Sequence, residues 1–392
     1  MAVNSQKVAQ IREAFNQEDA AAWIANLWDN YNNQRSGKRD EWAELQKYIF
    51  ATDTQTTSNS SLPWKNSTTI PKICQIRDNL HSNYMASLFP NDNWLTWMAY
   101  DEQSASKRKA KIIRGYMENK SREGGLRSTV SKLLLDYIDY GNAFAMPAFE
   151  RRYNMVDGEN VVDFIGPVAV RIHPLDIVFN PLASSFDKTF KIIRSVKTVG
   201  ELLKLAEDNP DQSFWLGAIQ HRMDRMKLLS GYKKEDFDKS VQISADGFGN
   251  YYEYLQSDYV EILEFYGDYQ DPEGKVQTGR RITITDRSHV VQDIKMPTYN
   301  GRPNIYHVGW RERSDNLWAM GPLDNLVGLQ YRLDHLENAK ADAFDLAIQP
   351  PLKIIGEVEA FTWGPSAEIH LDENGDVQEV AKNLNSVITA AS

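Results

Sequence analysis

Apolar positions along the chain repeat first with the period of a helix and later with the period of a strand. Val8, Ile11, Phe15, Trp23, Leu27 and Tyr31 fall at helical spacing over residues 6–31, and a second helical run covers 38–50 after the break at Ser36-Gly37. Residues 51–69, rich in Ser, Thr and Asn, predict a loop or exposed arm. Helical spacing returns after Pro71 with Ile73, Ile76, Leu80, Tyr84 and Leu88, until Pro90 stops it. Further helices are predicted over 103–120 and 126–140. The second carries Leu133, Leu134, Tyr137 and Ile138 on one stripe and ends on Gly141-Asn142.

From residue 142 the period switches to two. Strands are predicted at 143–149, 160–165 and 168–173, with Val156-Asp157-Gly158 turning between the first pair and Phe179-Asn180-Pro181 in a loop. Thr198 and Glu201 form a capping box that opens a short helix over 198–207. An amphipathic helix over 211–230 precedes a charged, Gly-bearing stretch, 231–250, the best candidate for a boundary. Strands return at 259–266, 281–285 and 290–296, with 271–275 as a hairpin turn. Gly321-Pro322 then opens a helix to Ala347, about 37 Å long at the usual rise per residue. Pro350-Pro351 ends it. A strand at 352–358, a loop and a helix at 377–392 finish the chain. No cap closes that last helix, so the natural chain is expected to run on. The mixture is α+β.

Composition narrows the function. The chain has 392 residues, 42% of them hydrophobic and 25% charged, which is ordinary for a protein with a packed core. Its net charge of −10 disfavours tight phosphate binding, which Lys and Arg supply by displacing counterions. It does not exclude a protein that encloses DNA without adhering to it. The lone Cys74 rules out an intrachain disulfide framework and fits a reducing compartment. No stretch has the length of a membrane span, and the N-terminus lacks the layout of a secretory signal. The expected place of synthesis is the cytoplasm.

The motifs of chemistry are missing. There is no Gly-x-x-x-x-Gly-Lys-Ser/Thr loop, no His-Glu-x-x-His, no Gly-x-Ser-x-Gly and no Cys-x-x-Cys. The histidines never take ligand spacing, so no metal or cofactor is expected. Asp372-Glu373-Asn374-Gly375-Asp376 has its glycine in the wrong place for a calcium loop and reads as a turn. The basic run Lys107-Arg108-Lys109 with Lys111 suits phosphate or an acidic partner; a solvated helix face is the plainer reading.

One constellation stands out. On the helix 323–347, Leu326, Leu329, Leu333, Leu336, Ala343, Phe344 and Ala347 share one arc. The other arc carries Asp324, Tyr331, Asp334, His335, Asn338, Asp342 and Asp345, with no Lys or Arg. That arc is either an ordinary solvent face or an acidic wall that would repel DNA at close range, within a screening length of about 8–10 Å.

Several segments in order resemble a known family. They are Leu62-Pro63-Trp64-Lys65-Asn66 through Pro71-Lys72, Gln75-Ile76-Arg77-Asp78-Asn79-Leu80, and Leu88-Phe89-Pro90-Asn91-Asp92. Asp139-Tyr140-Gly141-Asn142-Ala143-Phe144 follows, then Arg171-Ile172-His173-Pro174-Leu175-Asp176-Ile177-Val178-Phe179-Asn180-Pro181. Gly321-Pro322-Leu323-Asp324-Asn325-Leu326 and Ala341-Asp342-Ala343-Phe344-Asp345 complete the set. Together they resemble the portal (head–tail connector) proteins of tailed bacteriophages, particularly the short-tailed, podovirus-like type, from about residue 20 to the end.

The resemblance implies an elongated subunit with a helical wing and stem and a β-containing clip, assembled as a homo-dodecameric ring at one capsid vertex of the virion. Double-stranded viral DNA would pass through it without sequence specificity. The large terminase, major capsid and scaffolding proteins, and head–tail adaptor or tail proteins would bind it, with no membrane and no enzymatic activity. By order, 1–250 would be wing and body, 251–312 the clip, 313–347 the stem helix and 348–392 the approach to the channel loop, without a crown. The polar arc of 323–347 would face the channel. Tyr259, Phe265, Tyr266 and Trp310 would anchor the subunit interface, or else pack inside one subunit. The alternatives are another virion structural protein (an adaptor or internal core protein) and, less favoured, a metal-dependent nucleic-acid enzyme.

Overall fold

A computed structural model describes residues 20–50, 68–91, 98, 104–156, 159–208, 212–229, 257–270, 275–296, 298, 303–348, 352–356 and 375–379. The chain is α+β and divides into two compact units, Met1–Arg39 with Ser87–Gly321, and Asp40–Ala86 with Pro322–Ser392. The elements in order are α1 (Ala20–Gln34), α2 (Ser36–Phe50), α3 (Lys72–Leu88), α4 (Ser104–Glu123), α5 (Leu126–Asp139), β1 (Asn142–Val156), β2 (Glu159–Ile172), β3 (Ile177–Phe179), β4 (Lys191–Thr198), α6 (Val199–Asp208), α7 (Phe214–Leu229), β5 (Tyr259–Gln270), β6 (Val276–Thr285), β7 (His289–Lys295), β8 (Tyr306–Gly309), α8 (Val327–Ile348), β9 (Leu352–Ile355) and β10 (Asp376–Glu379).

The first unit is built on a five-stranded antiparallel sheet in the order β3-β4-β5-β6-β7. Its central strand β5 sends alternate residues to opposite faces, and both faces are covered. Leu263 and Phe265 join Val178, Ile192, Ile282 and Ile284 under Ile24 and Trp28 of α1. Val260 and Ile262 pack on the other side against Leu202 and Ala206 of α6 and Trp215 and Ala218 of α7. The expected strand 259–266 runs on to Gln270 because β6 pairs with it past an irregularity between Gly267 and Tyr269. The capping box at α6 is present: Glu201 N–H donates to Thr198 Oγ1 at 3.2 Å, and Thr198 N–H donates to Glu201 Oε2 at 3.0 Å.

The five-stranded sheet joins residues on both sides of the boundary expected at 231–250, because β5 pairs with β4 along its length from Lys191↔Tyr266 to Thr198↔Tyr259. Residues 251–312 therefore do not form a β module of their own. Phe179, expected in a loop, ends β3, and no element was expected over most of β4; β3 is only three residues long and β4 has no clean alternation.

A charged network ties this unit together. Glu261, buried on β5, accepts from Arg194 Nε at 2.7 Å and from Arg287 Nε and Nη2 at 2.7 and 2.9 Å, while Arg287 Nη1 reaches Asp29 on α1 at 2.9 Å. Burial works against the Glu261 charge, but the two guanidiniums outweigh it and hold the carboxyl below its usual range. The turn after β6 carries two left-handed residues, Asp286 (φ 49°) and Arg287 (φ 57°). Arg287 is held by Glu261, and Asp286 is held by the buried Arg222 at 2.8 Å. Such conformations persist where surrounding contacts fix them.

The second sheet, β2-β1-β8, is a long hairpin with a short third strand. The three strands expected at 143–149, 160–165 and 168–173 are two: Gly166 and Pro167 continue β2, with Pro167 opposite Phe149. β2 is an edge strand, and Pro147 of β1 lies just past the stretch that β8 covers; a missing N–H is tolerated at edges.

Three distant segments meet at the start of β1. Gly141 has φ 68°, and a methyl group there would run into the backbone of Met320 and Gly321. Asn142, fully buried, donates to Tyr140 O at 2.8 Å and Ala319 O at 3.0 Å, while its Oδ1 accepts from Ala319 N–H at 2.9 Å. His307 Nε2 lies 2.9 Å from the same oxygen and so carries the proton. Its ring stacks on Phe144 at 4.6 Å, and burial pushes its pKa down to about 4.

In the second unit α2 buries Trp42, Leu45, Tyr48 and Ile49, at helical spacing. β9 and β10 pair as a hairpin from Leu352↔Glu379 to Ile355↔Asp376. Residues 377–379, expected to begin a helix, are thus strand; 380–392 lie outside the described residues, as do the predicted turns at 157–158 and 271–274, the linker 231–250, the calcium-like loop up to Asn374 and the first helix before Ala20.

Candidate functional site

Helix α8 belongs to the second unit and buries a polar stripe. Gln330, Asp334 and Asn338, spaced four residues apart, are each almost fully buried. They hold the extended segment Thr68–Ile70 much as a neighbouring strand would. Asn338 Oδ1 accepts from Thr68 N–H at 2.8 Å, and its Nδ2 donates to Thr68 O at 3.2 Å. Asp334 Oδ1 accepts from Ile70 N–H at 3.0 Å, and Gln330 Nε2 donates to Ile70 O at 2.6 Å and to Asp334 Oδ1 at 2.8 Å. The spacing explains the fit: four helical residues rise about 6.0 Å, and two extended residues span about 6.6 Å.

Burial pushes the Asp334 carboxyl above its usual pKa, against the pull of the Ile70 N–H and Gln330. Among the described residues, the buried Asp334 Oδ2 and Gln330 Oε1 meet no hydrogen-bond partner. Three polar side chains facing inward leave aliphatic ones outside. Leu329 is 64% exposed, Leu336 43% and Phe344 44%, and Leu346 is also exposed. Leu329, Leu333, Leu336, Lys340, Ala343 and Ala347 follow a 4-3-4-3-4 spacing, the spacing of a seam that packs against another helix.

The expected division of α8 is corrected by this arrangement. Asp334 and Asn338 have no surface with which to face a channel, and four of the apolar arc, Leu329, Leu336, Phe344 and Ala347, are exposed. Asp345 is exposed, Tyr331 is 39% exposed, and Asp324, His335 and Asp342 are half-buried. Gln330 and the Thr68–Ile70 segment were missed. The only sequence signal was the four-residue spacing of amide and carboxylate on a largely aliphatic helix.

The expected interface aromatics also separate. Phe265 is in the core of the first unit, edge-on to Trp23 at 5.0 Å. Tyr266 is buried, and its hydroxyl donates to Glu264 Oε2 at 2.6 Å; burial and that carboxylate push its pKa well up. Both pack within the subunit, which corrects their placement as interface anchors. Trp310 packs against Tyr137 at 5.2 Å, and Tyr259 is half exposed.

Among the described residues no three of His, Cys, Asp and Glu converge as a metal site would require, and no helix is long and apolar enough to cross a membrane. No protein-family model matches the chain, and no curated protein matches it.

Proposed function

We propose that this chain is a ring-forming portal subunit of a short-tailed bacteriophage, a conduit for double-stranded DNA at one vertex of the virion. The observation that carries the reading is the seam on α8, where Leu329 and Leu336 stand exposed on a helix that turns its polar stripe inward. Burying a Leu side chain contributes about 1.5–3 kcal/mol, so an open row of them favours association. A head-to-tail contact repeated by rotation closes into a ring. The ordered motifs from Leu62 to Asp345 point the same way. In this reading Asp324, Asp342 and Asp345, without Asp334, supply the negative charge that keeps DNA sliding. Terminase, capsid, scaffolding and tail proteins would dock on the finished ring, with no chemistry asked of the chain.

Negative-stain imaging of the full-length protein tests the reading. Twelve-fold annuli with a central hole wide enough for a duplex are expected. Leu329→Asp with Leu336→Asp should leave the circular dichroism spectrum unchanged and abolish the annuli. A protein that stays monomeric under capsid-assembly conditions, or annuli indifferent to the double substitution, would overturn it.

A further inference from the structure

Asp334 and Gln330 of α8 are 0% and 3% exposed, and one hydrogen bond joins them, from Gln330 Nε2 to Asp334 Oδ1 at 2.8 Å. The same Nε2 donates to Ile70 O at 2.6 Å, and the same Oδ1 accepts from Ile70 N–H at 3.0 Å. The other half of each group is orphaned: among the described residues Asp334 Oδ2 and Gln330 Oε1 meet no partner. Turning the amide round does not help. Nε2 already serves two acceptors, and an oxygen in its place would face both of them.

An ionised carboxylate only accepts, and an amide oxygen only accepts, so these two buried oxygens cannot answer each other. One proton removes the conflict. On Oδ2 it makes that oxygen a donor, and the acceptor left open on the same bonded pair is Gln330 Oε1. Acid and amide would then meet through two hydrogen bonds, Nε2–H to Oδ1 and Oδ2–H to Oε1, with no charge buried. The electrostatics lean the same way. Burial, the largest influence on Asp334, favours the neutral carboxyl over the pull of the Ile70 N–H and Gln330 toward the ionised one. No charged side chain is among those influences. Tyr331 and Glu337 lie one turn away on α8, Thr68–Ile70 brings no titratable group, and Lys72 beyond it turns to Gln75 at 3.3 Å.

We propose that Asp334 is held protonated against Gln330, and that this proton latches the Thr68–Ile70 segment onto α8. With the proton in place the pair is neutral and complete, and it grips both the N–H and the C=O of Ile70. Without it a carboxylate is buried with one oxygen unanswered, and the grip weakens. The folded chain keeps this proton at a pH where the unfolded chain has lost it. The latch is therefore fully present below the ordinary carboxyl range and is lost as pH rises through the folded value. Asn338 does not titrate and holds Thr68 at any pH, so the release is confined to the Ile70 end. The latch works within one subunit and needs no ring.

Amide hydrogen exchange on the full chain tests the latch, with each rate divided by that of the unfolded chain to remove the intrinsic effect of pH. Protection at Ile70 should fall about five- to tenfold between about pH 4 and about pH 8, the loss expected from one hydrogen bond, with less change at Thr68. Asp334→Asn puts a permanent N–H donor where the proton sat, so it should keep the acid level of protection at both ends of that range. The infrared spectrum of the parent minus that of Asp334→Asn should show a protonated-carboxyl band that titrates away above the usual Asp value of about 3.9. Protection at Ile70 that ignores pH in the parent, or that follows pH equally in Asp334→Asn, would overturn the proposal, as would absence of the band. So would a rise in Ile70 protection on adding K+ or Ca2+ at about pH 8 that Asp334→Asn abolishes, because the orphaned oxygens would then hold a cation.

Discussion

The five-stranded sheet and the helix α8 bury polar groups in opposite ways. Around the sheet, α1 covers one face and α6 with α7 the other, and the buried carboxylate Glu261 has two guanidiniums upon it. The buried carboxylates Glu261 and Asp286 are both answered by arginines of the same unit. On α8 the polar stripe is turned inward and held to a short extended segment, while Leu329, Leu336 and Phe344 face out. One region is complete as a folded object; the other spends its amphipathicity on holding a single strand. The difference separates a region that covers its own core on both faces from one that keeps aliphatic side chains on its surface.

The largest expected effect is at Glu261. Glu261→Ala removes the buried carboxylate that Arg194 and Arg287 share, and the loss should be about 3–5 kcal/mol by chemical denaturation. A loss below about 1 kcal/mol would mean that the network is not what completes the first unit. Asn142→Ala comes next. It leaves the Ala319 N–H and the His307 ring without their acceptor, for about 2–3 kcal/mol.

Acid tests the same unit more gently. Burial first, and for His173 the nearby Arg171 and Arg35, lower the pKa of His173 and His307 to about 4 from 6.5. Between those values the unfolded chain binds more protons than the folded one, so stability should fall as pH drops from about 6.5 to about 4. A flat denaturation midpoint across that window would contradict the burial of both rings.

In the second unit, Asn338→Ala should act locally. It is expected to cost about 1 kcal/mol and to speed amide hydrogen exchange at Thr68, with the melting of the first unit unchanged. The smallest effect on stability belongs to Leu329→Asp with Leu336→Asp, within about 0.5 kcal/mol for the isolated subunit, although the loss of assembly should be complete.

Much of the fold was legible where a local rule dictates it. Thr198 and Glu201 announce α6 because a capping box needs only four consecutive residues. Helices α2 and α5 follow from apolar spacing, and Gly141 from the left-handed cap that ends α5. What escaped depends on residues far apart in the chain. The inward turn of α8 is set by hydrogen bonds to Thr68 and Ile70, more than 260 residues away, and polar side chains that bury themselves look like a solvent face. β4 gives no alternation because Lys191, Ile192 and Ile193 at its start are all buried in succession, Ile192 in the core under α1. For the same reason Phe265 and Tyr266 resembled surface anchors when read without their partners Trp23 and Glu264.

Asn142 also sets the order in which the chain can be completed during synthesis. Its amide needs Tyr140, His307 and Ala319, so the hairpin of β1 and β2 leaves the ribosome with this side chain unanswered. Only when residue 319 has emerged can the strand start be sealed, and contacts so distant in sequence form late. A nascent chain halted before that point would carry a folded hairpin with an open end, so a pause in translation beyond residue 320 would favour correct closure and an earlier one would expose it.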